Sequence, residues 1–222
     1  DITCMKPSSS YHHGNLYREL LERAEAQLKE RGIAKLSLRA LAREIGVSQT
    51  APYRHFADKD ALLAALATEG FVRFFDAYPN TEDMEPLGGL GAMGRAYLSF
   101  AREHTEIFRL MFGPELLPRR NYPELFSAGR EAFYRVHRLI KVTFAHHKLS
   151  EEEIASLAHT AWAAVHGVAT LMLDHSESFG YYGDPEQQAA RGHVGTLVHL
   201  LVDHHPGDGA QNRHALSWLA SA

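Results

Sequence analysis

The chain has 222 residues, 45% of them hydrophobic, and a formal charge of −4. That length carries one large or two small domains with a core needing no staples, and the composition excludes a disordered chain. A single cysteine, Cys4, excludes an intramolecular disulfide, and a reducing cytoplasm is the expected compartment.

The longest apolar stretch, Ala161 to Leu173, is interrupted by His166. It falls short of the ~20 residues a membrane helix requires, so no membrane partner is expected. The chain opens DITCM, and Met5 is expected as the natural first residue, with residues 1–4 an appended remnant.

In chain order, residues 1–11 are polar and rich in Ser, and they read as a mobile, solvated arm. A first helix is predicted from an Asn15 cap to Arg31, because Leu16, Leu20, Ala24 and Leu28 recur on one face and Gly32 follows as a stop. Ile33 and Leu36 close a small core against it. A second helix is predicted from a Ser37 cap. Leu38, Leu41, Ala42 and Ile45 keep the i, i+3, i+4, i+7 spacing, and Gly46 ends it in the left-handed conformation. Val47 plugs the corner, and Ser48 caps a third helix, Gln49 to about Phe56.

That third helix opens on small or polar residues, Gln49, Thr50 and Ala51, and then carries Tyr53, Arg54 and His55. Ala42, four residues before the turn glycine, supplies the small contact that two tightly crossing helices require. An ordinary helix hairpin shares the glycine spacing alone. The coincidence of small residue, glycine turn, apolar corner, serine and aromatic-basic end reads as a helix-turn-helix presented to a DNA major groove. Tyr11, His12 and His13 then reach toward a minor groove or are simply solvated. Between Tyr11 and Asp60 nine Lys/Arg face seven Asp/Glu, so this segment is +2 and the remainder −6. So small an excess leaves affinity to a few placed contacts and to dimerisation.

The run GNLYRELLERAEAQLKERGIAKLSLRALAREIGVSQTAPYRHFADKDALLAAL, within residues 12–66, resembles the N-terminal domain of the TetR family of transcriptional regulators. The resemblance implies that Arg39 reaches a base and that Ser48, Gln49, Thr50, Ala51 and Pro52 open the helix lying in the groove. It also implies that Tyr53, with His55 beside it, and Lys59 hold phosphates. Pro52 stands where many members carry another residue; proline is tolerated in a first helical turn but offers a base only van der Waals contact.

A connecting helix is predicted from an Asp58 cap to Tyr78, apolar over a wide arc through Leu62, Leu63, Leu66, Phe71, Phe74 and Phe75. Pro79 to Gly91 breaks the pattern. Further helices are predicted over Leu90–Glu103, Thr105–Phe112 and Glu124–His147, and from a Ser150/Glu153 capping box to Leu173. A last one runs from an Asp184 cap, with Pro185 following, to Val202.

Trp162, His166 and Gly167 form a W-x-x-x-H-G signature that resembles the WHG-type C-terminal domain of one TetR branch, over roughly residues 85–202. Trp162 and His166 are i, i+4 neighbours, and Gly167 lets a helix or a ligand approach. Core packing and a ligand pocket both fit. Phe100, His104, Phe108, Met111 and Phe112 form a second stripe that fits the same two readings. The best dimer seam lies in the last two long helices, through Leu157, Val165, Val168, Val194, Leu197 and Leu201. His199 and Asp203 have metal-ligand spacing, but no CxxC or HExxH accompanies them, so neither metal nor cofactor is expected. No nucleophile or phosphate-cradling motif marks an enzyme.

The expected architecture is all-α. An arm (1–11) precedes a helix-turn-helix domain (12–60) and a ligand-binding and dimerisation domain (61–202) that opens on the connecting helix (61–78); residues 203–222 form a tail. The expected function is a regulator, a repressor, that binds a palindromic double-stranded DNA operator as a homodimer and is released by a small, mostly apolar organic effector. A regulator of this fold without a small-molecule effector is the second reading. A helical enzyme or metal carrier is the third.

Overall fold

The computed structural model describes residues 13–81, 84 and 86–175. Seven α-helices and several short 3-10 turns fill this span, and no strand occurs among the described residues. The helices are α1 (His13–Arg31), α2 (Leu38–Ile45), α3 (Lys59–Asp76), α4 (Pro86–Glu103), α5 (Thr105–Phe112), α6 (Pro123–Thr143) and α7 (Glu151–Asp174). The all-α class predicted from the helical periodicity is the class observed. The chain divides into two compact units, Asp1–Gly70 with Glu106–Phe126 and Phe71–Thr105 with Ser127–Ala222. The unit containing the head takes in α3 as far as Gly70 and also α5. The helix predicted over 184–202 lies outside the described residues, and so does the tail.

In the first unit α1 buries its predicted stripe, Leu16, Leu20, Ala24 and Leu28. Each fully buried leucine contributes roughly 1.5–3 kcal/mol. Leu41 and Ala42 of α2 have no exposed surface, so the small residue at the crossing is where the sequence places it. Gly46 ends α2 at φ +80°. Its N–H donates to the Arg43 carbonyl at 3.3 Å, and the Val47 N–H donates to the Ala42 carbonyl at 2.9 Å. These bonds satisfy carbonyls that the helix end leaves open.

Polar contacts at Glu44 join α1 to α2 without any periodic signal. Buried Gln27 donates from Nε2 to Glu44 Oε1 at 2.8 Å, which keeps its amide paired. α5 approaches α3 at Gly70, where a Cβ would lie 2.6 Å from Ile107 Cγ2 and 2.8 Å from Met111 Sδ. Any side chain at position 70 would push α5 away.

The third helix differs from expectation. Residues Ala51–Arg54 form a 3-10 turn, not the start of an α-helix. The cause is Pro52. In an α-helix its N–H would donate to the Ser48 carbonyl, but proline has none. That carbonyl accepts instead from the Ala51 N–H at 3.0 Å, and the tighter i→i+3 pattern continues from Tyr53 to Thr50 at 3.2 Å. Neither Ser37 nor Ser48 caps with its side chain: Ser37 makes no capping bond, and Ser48 Oγ lies 3.2 Å from Thr50 Oγ1. Asp58 caps as predicted, accepting from the Ala61 N–H at 2.8 Å.

The second unit is built from the end of α3, α4, α6 and α7. Its core is Leu90, Ile140, Phe144, Ile154, Ala158 and Ala161, with Phe133, Val136, Leu139, Leu149 and Leu157 packed on it. Phe74 meets Tyr97 and Phe100 edge-on at 5.2 and 5.1 Å, the arrangement that ring quadrupoles favour. The Arg135 guanidinium lies 4.5 Å over the Phe75 ring. The capping box at α7 is complete. The Glu153 N–H donates to Ser150 Oγ at 3.2 Å, and the Ser150 N–H donates to Glu153 Oε2 at 2.8 Å.

Two substitutions test these local devices. Gly46→Ala is expected to destabilise by about 1–2 kcal/mol, because a left-handed backbone strains any residue with a Cβ. Nothing lies within 4 Å of that Cβ, so the loss isolates conformation from crowding. Ser150→Ala is expected to cost about 1 kcal/mol. Urea unfolding measures both, and a Gly46→Ala transition that coincides with the parent's removes the strain account.

Candidate functional site

Two groups of predicted residues occupy different units. In the first unit Arg39, near the start of α2, is exposed, as are Ser48, Gln49 and Thr50 in the turn and Tyr53 and His55 beyond it. The same elements turn their apolar residues inward, so the exposed set is polar by construction. Ala51 is half-buried. Pro52 is buried, which withdraws it from any surface offered to a base. Its ring packs inside the head because it is the apolar residue of a short turn whose other members are polar or small.

Lys59 is half-buried and donates from Nζ to the Ile33 carbonyl at 2.5 Å. That bond anchors the first turn of α3 to the segment between α1 and α2. An ammonium has three donors, so two stay available to an anion. Tyr17, which carries no signal in the α1 stripe, stands beside this surface. Its ring stacks on Phe56 at 5.2 Å and meets His55 edge-on at 6.0 Å. Burial, then Glu69 and Glu124, raise its phenol above the ordinary value, so it stays a neutral O–H.

The aromatic stripe does not act as one group. Phe108 and Met111 are buried in the first unit, with Met111 against Gly70 and the Phe108 ring tilted 4.9 Å from that of half-buried Phe112. There Phe108 and Met111 fill space as core. Phe100 and His104 belong to the second unit, rings 4.7 Å apart, and His104 Nδ1 is buried without a hydrogen-bond partner.

The W-x-x-x-H-G residues converge on a residue the sequence does not single out, Tyr97 of α4. Tyr97 Oη and His166 Nδ1 are 2.7 Å apart, the Trp162 indole stacks on the His166 ring at 5.5 Å, and the indole N–H donates to the Tyr97 oxygen. These contacts define the protons. Indole is only a donor, so Tyr97 Oη is its acceptor, and the phenolic hydrogen of this buried residue needs an acceptor of its own. His166 Nδ1 supplies it, which leaves the imidazole proton on Nε2. Burial lowers the His166 pKa and raises that of Tyr97, so both are neutral.

Beside this trio lies a cavity of about 40 Å³, lined by Tyr78, Leu90, Met93, Gly94, Tyr97, Val136, Ala161, Trp162 and Val165. A wider cleft of about 670 Å³ runs past Tyr78, Thr81, Met93, Arg135, Arg138 and Val142. Gly167 meets no neighbour, since nothing lies within 4 Å of where its Cβ would stand; the close approach expected there is not made by the described chain.

Of the expected dimer seam, Val165 is buried and lines the cavity, and Leu157 packs on the core of its own unit. Both face inward because their periodicity follows Ile154, Ala158 and Ala161. Val168 is half-buried and Leu171 is exposed. Val194, Leu197 and Leu201 lie outside the described residues, as does the His199–Asp203 pair. Among the described residues no group of three His, Cys, Asp or Glu could hold a metal ion, and no helix is long and apolar enough to cross a membrane.

Comparison with known proteins places this geometry. Residues 20–66 match the profile of bacterial regulatory proteins of the tetR family, and residues 90–197 match that of the tetracyclin repressor-like C-terminal domain. The chain is similar to an uncharacterized HTH-type transcriptional regulator of Haemophilus influenzae, 25% identical over 159 residues, covering 70% of this chain and 73% of that one. It is similar in structure to a Rhodococcus sp. RHA1 protein of unknown function, at TM-score 0.70 and 33% identity, over 86% of this chain and 98% of the other. Mycobacterium smegmatis BioQ follows at TM-score 0.56 and 25% identity, over 84% and 95%. With a matching head and a matching C-terminal domain, the chain belongs to the TetR family, a DNA-binding transcription regulator and not an enzyme.

Proposed function

We propose that this regulator is a repressor that grips a palindromic operator as a homodimer and lets go when a small, uncharged, mostly apolar effector binds the second unit. The observation that carries the effector reading is the neutral Tyr97–His166–Trp162 trio set against an apolar cavity. Neutral polar groups in an apolar surround suit an organic molecule with one oriented contact, and they reject an ion. His166 serves this site by holding Tyr97, and His104, with its unpartnered buried nitrogen, is a second polar candidate.

In the DNA complex Gln49 and Thr50 meet base edges, joined by Arg39. Tyr53, His55 and Lys59 meet phosphates, with Tyr17 beside them. Dimerisation uses the outer side of α7, Val168 and Leu171, together with the segment holding Val194, Leu197 and Leu201. A pair of heads addresses half-sites one helical turn apart, about 34–36 Å, and α3 conveys a change in the second unit to that spacing. Driving such a switch from 1:99 to 99:1 takes about 5.5 kcal/mol of preference by the effector. A regulator of this kind acts where the chromosome is, in the cytoplasm.

The small size of the cavity, about 40 Å³ against the roughly 300–1,000 Å³ of ordinary ligand pockets, favours a second reading in which no small molecule takes part. Operators selected from random-sequence DNA, then challenged with organic compounds in a gel shift, separate the two. Release by some compound supports effector control, and release by none across chemically broad classes supports the second.

On the selected operator, Gln49→Ala is expected to weaken binding by ~1–3 kcal/mol and to leave random-sequence affinity nearly unchanged. Lys59→Ala is expected to weaken all sequences alike and to flatten the salt dependence by roughly one ion. Anisotropy titrations across salt concentrations decide, and a change of sequence preference in Lys59→Ala reverses the assignment. Leu197→Glu would place an unpaired charge in the proposed seam, and sedimentation should show monomers that no longer hold the palindrome. A dimeric Leu197→Glu protein moves the seam elsewhere.

A further inference from the structure

We propose that Trp162 is a displaceable lid whose indole occupies the ligand's place, so that the ligand is an uncharged aromatic molecule bearing one O–H or N–H donor. This rests on the effector reading above and names the chemistry of its site.

Among the cavity's aromatic walls Trp162 is the exposed one, at 36%, while Tyr97 is 3% exposed and Leu90, Met93, Ala161 and Val165 are all buried. It can leave without opening the core. The cavity behind it, about 40 Å³, is too small for a ring by itself. With the indole swung outward, the side chain's own volume joins that space. What remains is a flat imidazole face, an apolar floor of Met93 and Val165, and one buried oxygen, Tyr97 Oη, that has lost its donor.

A buried acceptor without a donor is unfavourable, so an incoming ring that brings an O–H or N–H is preferred over a bare hydrocarbon. A carboxylate is rejected, since it brings charge but no donor into a place with no cation among its lining residues. Tyr97 is the residue that reads the ligand. His166 is a positioning residue, because its Nδ1 keeps the Tyr97 hydrogen turned away from the ligand and leaves the oxygen facing it.

The test uses the full chain with Trp218→Phe, labelled with 5-fluorotryptophan, so that the fluorine resonance reports Trp162 alone. The probes are benzyl alcohol, toluene and benzoate. Benzyl alcohol should move the Trp162 resonance saturably toward its solvent-exposed position and bind about tenfold tighter than toluene, the worth of one hydrogen bond. Benzoate should not move it. Tyr97→Phe should erase the preference for the alcohol over toluene, while His166→Gln, which can still accept from Tyr97, should keep it. If Tyr97→Phe does not fold, the comparison of alcohol with toluene in the parent decides alone.

Equal affinities for the alcohol and toluene, saturable binding with an unmoved Trp162 resonance, or no saturable response to any probe would each overturn the proposal. The same labelled protein on its operator keeps the two readings apart. Compounds that release DNA without moving Trp162 leave effector control standing and remove the lid. A moved Trp162 with no compound releasing DNA keeps the site and removes effector control.

Discussion

The burial of α3 is the constraint on which the described structure depends. Leu62, Leu63, Leu66, Ala67, Phe71 and Phe74 are each at most 2% exposed along one unbroken helix from Lys59 to Asp76. The helix is apolar over a wide arc because it has more than one surface to satisfy. Its residues from Lys59 to Gly70 belong with the head and those from Phe71 to Asp76 with the second unit. Its own first turn is secured by polar means, Asp58 capping Ala61 and Lys59 reaching the Ile33 carbonyl. A helix tied at its start and buried along its length cannot tilt without disturbing what it packs against.

The head shows how an exposed polar surface follows from what the rest of the motif must bury. Leu38, Leu41 and Ala42 take the interior of α2, which leaves Arg39 outside. The Gly46 turn reverses the chain tightly enough that Ser48, Gln49 and Thr50 emerge together. Pro52 tightens the next turn to 3-10 geometry and sinks into the interior, leaving Ala51 half-buried before it and Tyr53 exposed after it. The polar surface is a consequence of burial and turn chemistry, and its basic residues are few. That accords with the slight excess of positive charge in this segment.

In the second unit the informative feature is a set of three neutral side chains that satisfy one another. An indole, a phenol and an imidazole could each be costly when buried alone. Joined donor to acceptor across α4 and α7, they form a polar network at the edge of an apolar core, with Tyr97 buried, His166 half-buried and Trp162 exposed. Such a network is stable while complete and sensitive to any molecule that offers one of its members a different partner. By contrast Phe108 and Met111 are buried in the first unit, Met111 against Gly70, where they carry no polar consequence.

Periodicity and end signals in the chain were sufficient for helix class, the ends of α2 and α5, the Asp58 cap, the Ser150–Glu153 box and the helix-turn-helix itself. These are local: an apolar stripe, a glycine at positive φ and a capping carboxylate act within a few residues, so their physics is readable one window at a time. The 3-10 form of the third helix was also local in cause, though the missing Pro52 donor was read there as tolerable rather than decisive. What only the tertiary structure decided depends on residues far apart in the chain. Tyr97 and His166 are 69 positions apart, Gln27 and Glu44 are 17, and Lys59 and Ile33 are 26. No window of the sequence contains both partners of such a bond. The same holds for Val165 and Leu157, whose apolar character suits a dimer seam and a protomer core equally; burial against α4 and α6 chose the core.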